Sequence, residues 1–259
     1  MTLRAAFEVT DLLRTRSLKP SFEAVAFCNV LIILAAWSHL RLPEKPDAQT
    51  MLQSSLGIVA AAVFASFLLL MLVEAVRYRA PGQSMESLGA NLISVMYTGG
   101  LLAVFAQFRW FPNHTTAYFA MGSVIIATKS GDIMAYTFGR LWGRRRMVPL
   151  LSPGKTWMGG FGAVVGSCLG GWLWLKFGAR LFSTPLEMGE LSNVLAYCGT
   201  MGVVGLIGDL CESLIKRDAQ KKDSASLLPG FGGLLDLLDS PLYAAPVALA
   251  WWYFCPPVV

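Results

Sequence analysis

Residues 208–240 read GDLCESLIKRDAQKKDSASLLPGFGGLLDLLDS, a cluster of carboxylates, lysines and glycines in a chain that is otherwise mostly apolar. Charged groups beside a membrane are costly unless they serve a site. Asp209, Ser213 and Lys216 are spaced by four and three residues, which sets them on one face of a helix ending an apolar run. The stretch LLPGFGG, 227–233, then removes side chains from the backbone, so that main-chain N–H groups can approach a phosphate. Asp236 and Asp239 follow, three residues apart. That spacing puts both carboxylates on one side of a starting helix, as a hard divalent cation requires. Together these residues point to a nucleoside triphosphate held through magnesium. The alternative is an ordinary loop whose charges are solvated.

Outward from this stretch, the 259 residues are 55% hydrophobic and 14% charged, with a mean hydropathy of +0.55. A soluble domain carries roughly 25% charged residues, so the composition indicates a membrane protein. Apolar runs at 22–40, 55–76, 88–107, 117–140, 158–177, 191–214 and 240–255 approach the roughly 20 residues a spanning helix needs. The expected fold class is therefore all-α: a polytopic transmembrane helical protein of about seven spans. Residues 1–20 form a polar, basic N-terminal segment, with spacing that allows either an amphipathic helix on the membrane surface or a tail. No small-residue cleavage site follows the first apolar run, so a signal peptide is not expected. No repeat or low-complexity linker interrupts 21–259, which reads as a single transmembrane catalytic domain. Cys28, Cys168, Cys198, Cys211 and Cys255 have no metal or redox spacing and read as small hydrophobic fillers. With only His39 and His114 present, a histidine metal site or catalytic triad is not expected.

Lys and Arg distribute unevenly between alternate loops. One side collects 15, from the N-terminus and the 77–87, 140–157 and 216–233 loops, and the other collects 5: Arg41, Lys45, Arg109, Lys176 and Arg180. The positive-inside rule then places the N-terminus and both motif-bearing loops in the cytoplasm. It also accounts for the basic residues without nucleic acid as a partner.

A second constellation, TKSGDIMAYTFGRLWGRRRMVPLLSPGKTWMGG, occupies 128–160. Lys129 and Asp132 lie three apart on a helix face at membrane depth, with Tyr136 four residues beyond. An intramembrane charge pair reads as a functional site, or as an ion pair that only fixes helix packing. Gly139 and Gly143, four apart, favour close helix packing. Ser152, Pro153, Lys155 and Thr156 bring a hydroxyl, an ammonium and a helix N-terminus together as an anion cradle. No Walker arrangement is present.

These residues resemble the CDP-diacylglycerol synthases, or phosphatidate cytidylyltransferases. The family pattern is matched in order and spacing by Ser213, Lys216, Arg217, Lys222, Asp223, Pro229, Gly230, Gly232, Gly233, Asp236 and Asp239. It is matched again by Asp132, Ala135, Tyr136, Gly139, Arg140, Ser152, Pro153, Lys155, Thr156, Gly159 and Gly160. Phe231 stands where the family usually has His, and Leu237 where it usually has Arg. The resemblance covers about 88–250, with an N-terminal part shorter than usual, which bears on dimer packing and is compatible with a homodimer.

The resemblance implies CTP plus phosphatidate giving CDP-diacylglycerol and pyrophosphate, by in-line attack of the lipid phosphate on the α-phosphorus. It implies Mg2+ on Asp223, Asp236 and Asp239 with Asp132 as a further ligand, a second cation being left open. Lys216, Arg217 and Lys222 are implied to hold the triphosphate, and Ser152, Lys155 and Thr156 the lipid phosphate or the nucleotide. Ser213, Gly230, Gly232 and Gly233 complete the substrate-binding set. Asp209 and Glu212 read as orienting the lysines, and Lys129 as a replacement for the missing positive charge. Three other readings are weighed: a CTP-dependent enzyme on another lipid phosphate or prenyl alcohol, a catalytically silent scaffold, and a transporter lined by Lys129, Asp132 and Asp209. The transporter lacks the repeated halves such folds use. A bacterial inner membrane is the expected location, with membrane lipids as neighbours.

Overall fold

In lipid a backbone must satisfy its own N–H and C=O groups, and helices do so within one segment. The computed structural model describes residues 1–15, 18–37, 48–79, 81–111, 113–182, 186–225 and 232–258, with backbone alone over 48–51. Arg16, His39, Arg41 and Lys45, counted above, lie outside the described residues. The elements are α1 (Thr2–Arg14), α2 (Phe22–Ala36), α3 (Ala48–Arg77), α4 (Ser84–Val95), α5 (Leu101–Ala106), α6 (His114–Trp142), β1 (Arg146–Val148), β2 (Ser152–Thr156), α7 (Trp157–Phe177), α8 (Leu191–Asp218) and α9 (Leu234–Phe254). Over its described residues each of the expected spans coincides largely with helix. Four segments, Leu52–Arg77, Ser84–Trp110, Trp157–Phe182 and Leu191–Asp218, are long and apolar enough to cross a membrane. The α2 helix is apolar but shorter. Polar residues dilute the other two, Lys129 and Asp132 in α6 and Asp239 with two prolines in α9. The protein is all-α and polytopic, with one small hairpin.

Two units divide the chain: Met1–Trp110 with Ile215–Leu237, and Phe111–Leu214 with Leu238–Val259. In the first, α1 buries Ala5, Val9, Leu12 and Leu13 together with Ala219 and Leu235. The N-terminal stretch is thus packed on the segment that opens α9. Ser21 caps α2, its hydroxyl accepting from Ala24 N. Its own N–H donates to Asn91 Oδ1 at 2.9 Å, while Asn91 Nδ2 donates to Glu74 Oε1 at 3.2 Å. These bonds satisfy polar groups that burial would otherwise penalise. Between α4 and α5 the helix widens into a π turn over Met96–Gly100, where Asn29 Nδ2 donates to Thr98 Oγ1 at 2.8 Å. On α3, Phe64, Leu68, Leu72 and Val76 are 61–72% exposed. Their spacing of four makes one outward apolar stripe, the face a helix presents to lipid.

In the second unit α6 and α7 pack through small residues: Gly131 lies against Ser167, and Gly166 against Met134. Ser123 and Tyr197 share a hydrogen bond of 2.7 Å, and Trp252 Nε1 donates to the same Tyr197 oxygen at 3.2 Å. That buried trio fastens α6, α8 and α9. The hairpin β1–β2 is antiparallel, pairing Arg146 with Thr156 and Val148 with Ser152. All five cysteines are free thiols.

Candidate active site

The hairpin closes one wall of a cavity of about 500 Å³ in the second unit. Its lining combines Arg140, Arg146 and Lys155 with Asp132, Asp209 and the phenol of Tyr136. Ser152 and Thr156 also face it. The Thr156 hydroxyl accepts from Gly159 N at 3.1 Å and so caps α7, which turns the positive end of that helix toward the hairpin. Lys155 Nζ pairs with Asp209 Oδ2 at 2.9 Å. Arg140 Nη1 donates to the Tyr136 oxygen at 3.1 Å. Three cationic side chains around one cavity make a site for a multiply charged anion.

Beside the cavity, α8 and α9 come unusually close at Gly208. A Cβ there would lie 2.6 Å from Tyr243 Cβ and 3.0 Å from the Asp239 carbonyl oxygen, so only glycine permits the approach. One carboxylate oxygen from each of Asp209, Glu212 and Asp239 then falls within 4.8 Å of the others. Glu212 and Asp239 are buried. Lys129 Nζ bridges Asp132 Oδ2 at 2.9 Å and Asp239 Oδ1 at 3.2 Å. Ser240 adds its hydroxyl to Asp132 Oδ1 at 3.3 Å and its N–H to Asp239 Oδ1 at 2.6 Å. Ser213 Oγ donates to Asp209 Oδ1 at 3.5 Å. The donors of the trio are hard carboxylate oxygens, the ligand type that suits a small divalent cation.

The structure therefore brings together Asp132, Asp239, Ser152, Lys155, Thr156 and Ser213 with residues the sequence reading placed in lesser roles. Glu212 follows Asp209 by three positions on α8, a spacing that was visible beforehand as a shared helix face. Arg146 was counted only toward orientation, because nothing in a run of three arginines marks which one a hairpin will turn inward.

In the first unit Asp236 gathers its own partners. Lys216 Nζ donates to Oδ1 at 2.6 Å, while Ser224 N, Ser224 Oγ and Gly233 N donate to Oδ2 at 2.7–2.9 Å. Gly232 adopts a φ of +83°, and a Cβ on it would lie 2.5 Å from Asp236 Oδ2, so a side chain is excluded twice over. The amide of Gly233 serves the protein's own carboxylate here. Arg217 Nη1 donates to the Lys221 carbonyl at 3.2 Å. Lys222 and Asp223 are exposed and outside the Asp236 set, and Leu237 is exposed on α9. Pro229, Gly230 and Phe231 lie outside the described residues.

Burial of Asp236 alone would raise its pKa, but the hydrogen bonds from Lys216, Ser224 and Gly233 outweigh it and draw the carboxyl down to about 2. A lowered carboxylate stabilises the fold above its unfolded value, about 3.9, and that contribution disappears as pH falls through the folded value. Its side chain is only 11% exposed, so solvent screening is limited. Unfolding followed from pH 5 to pH 2 is expected to lose on the order of 2 kcal/mol in the wild type that Asp236→Asn lacks throughout. Superimposable pH profiles for the two proteins would contradict this.

The model of the cytidylyltransferase family matches residues 2–255. An uncharacterized protein of Escherichia coli, YnbB, is 37% identical over 172 residues, covering 64% of this chain and 55% of that protein. The phosphatidate cytidylyltransferase of Chlamydia trachomatis is 33% identical over 168 residues, 63% of this chain and 54% of that one. That of Mycobacterium leprae is 41% identical over 125 residues, 48% of this chain and 38% of its own. The chain spans about half the length of the first two relatives. The family match reaches back to residue 2, well before the motifs begin, and takes in α1 and α2. The chain belongs to the cytidylyltransferase family.

Proposed function

We propose that this protein transfers the CMP group of CTP to the phosphate of phosphatidate, giving CDP-diacylglycerol and pyrophosphate. The observation that carries this reading is the cavity in which Arg140, Arg146 and Lys155 stand opposite Asp132 and Asp209, in a member of this family. Two anions must meet there. An oxygen of the lipid phosphate forms the new bond to the α-phosphorus as the bond from that phosphorus to the pyrophosphate oxygen breaks. The chain's task is positioning and charge neutralisation, since no covalent intermediate with the protein is needed. In this reading Arg140 and Arg146 hold phosphoryl oxygens, and Lys155 moves between Asp209 and the substrate. The N-terminus of α7, capped by Thr156, adds a fixed partial charge.

Asp209, Glu212 and Asp239 would hold Mg2+, with Asp132 beside them across Lys129. The sequence-based set of Asp223, Asp236, Asp239 and Asp132 shares Asp239 and Asp132 with this arrangement. Bound there, magnesium would neutralise phosphate charge and polarise the phosphoryl group. Lys129 holds Asp132 and Asp239 together, and Lys216 and Asp236 form a second charge pair that fixes the start of α9. The proposed location is a cell inner membrane, with the hairpin and the 216–233 segment in the cytoplasm, where CTP is made available.

Purified protein in detergent is expected to form CDP-diacylglycerol from labelled CTP and phosphatidate only with magnesium. Asp239→Asn should lower turnover by about a thousandfold, the scale of losing a group that stabilises transition-state charge. Magnesium-independent product, or an undiminished mutant, would contradict the assignment; product only with another lipid phosphate would move it to that substrate. Orientation has its own check. Leu150 is 99% exposed at the hairpin tip, and Leu150→Cys, with the five native free cysteines replaced by alanine, should react with a membrane-impermeant maleimide in inverted vesicles but not in intact spheroplasts. Labelling in spheroplasts would reverse the topology.

A further inference from the structure

We propose that Glu8 is a positioning residue for this reaction: its carboxylate holds the first turn of α9 and, through it, the Asp236–Lys216 pair. The catalytic consequence rests on the cytidylyltransferase reading; the holding of α9 does not. Glu8 is 1% exposed, and a buried carboxylate is tolerated only when its oxygens are fully engaged. They are. Oε1 accepts from Leu234 N at 3.1 Å and from Arg4 Nε at 3.1 Å. Oε2 accepts from Leu235 N at 2.9 Å and from Ser224 Oγ at 3.2 Å.

The first N–H groups of a helix are ordinarily capped by a residue next to them in sequence. Here the acceptor comes from a residue 227 positions earlier than Leu235, and Gly233 leaves the room that admits it. A Cβ on Gly233 would lie 2.5 Å from Glu8 Oε2 and would also collide with Ser224 Oγ. The amides of Gly233, Leu234 and Leu235 all have protein acceptors, Asp236 for the first and Glu8 for the other two. A carboxylate of the chain therefore fills the helix end that the glycine-rich sequence was expected to offer to a phosphate.

Ser224 connects the two acids. Its hydroxyl carries one proton and lies 2.7 Å from Asp236 Oδ2 and 3.2 Å from Glu8 Oε2. Moving Glu8 would thus disturb both the turn that carries Asp236 and a donor that Asp236 uses. The far end of α1 is fastened to the same segment, with Thr15 Oγ1 donating to the Ala219 carbonyl at 3.1 Å and Lys221 3.7 Å from Asp11. The N-terminal helix is a brace for the motif segment.

The test uses the full chain in detergent, with Glu8→Gln, which keeps size but turns an acceptor oxygen into a donor, and Leu12→Ala, which weakens α1 without touching the carboxylate. Glu8→Gln is expected to lower kcat by about 10- to 100-fold while KM for CTP stays within about threefold. Backbone amides of 234–235 should exchange with solvent faster. Leu12→Ala should lower the melting temperature yet keep kcat at temperatures where it is folded. Wild-type kcat in Glu8→Gln, or an equal loss in Leu12→Ala, would overturn the proposal and leave α1 a packing element. If Glu8→Gln is not recovered folded, Glu8→Asp, one methylene short, is read by the same criteria. Should the wild type make no CDP-diacylglycerol, the reaction reading fails separately, and amide exchange alone decides: faster at 234–235 in Glu8→Gln supports the brace, and unchanged exchange overturns it.

Discussion

The approach of α8 to α9 at Gly208 is the contact on which the acidic centre depends. Any side chain at 208 would meet Tyr243 and the Asp239 backbone. Without that approach the oxygens of Asp209, Glu212 and Asp239 would not converge within 4.8 Å. Tyr197, Ser123 and Trp252 fix α6, α8 and α9 deeper in the same unit. The convergence is thus built into helix packing rather than left to a loop, which is how a site holds its geometry between turnovers.

Charge in such surroundings has to be matched locally. Lys129 lies between Asp132 and Asp239, and Lys155 sits against Asp209. Asp239 is the buried member of this set, so removing Lys129 would leave its carboxylate uncompensated. Lys155 also faces the cavity, where the proposed reaction has the same ammonium meet a phosphate.

Much of this was legible in the sequence, and the reasons differ by element. The spans followed from apolar runs, because lipid leaves helices as the simplest solution. Asp209 with Ser213, and Lys129 with Asp132, follow from helical spacing alone. The hairpin at 146–156 was read as loop, since two short strands carrying Pro153 and Gly154 have no periodic signal. Glu8 was invisible for a deeper reason: a single acid in an amphipathic stretch looks like a solvated face, and its partners lie more than two hundred residues away. Local spacing placed Asp236 beside Asp239 but could not assign their carboxylates to different partners. Two of the three boundaries between the units fall inside α8 and α9, where no change of composition marks them.

The most direct measurement of the cation site is a Mn2+ titration followed by electron paramagnetic resonance, on the wild type and Gly208→Ala in detergent, with circular dichroism to verify equal helix content. The expected result is one saturable site in the wild type, weakened at least about tenfold in Gly208→Ala, the scale of disturbing the support of a metal ligand set. Equal affinity in the two proteins would contradict a cation site that depends on the α8–α9 approach.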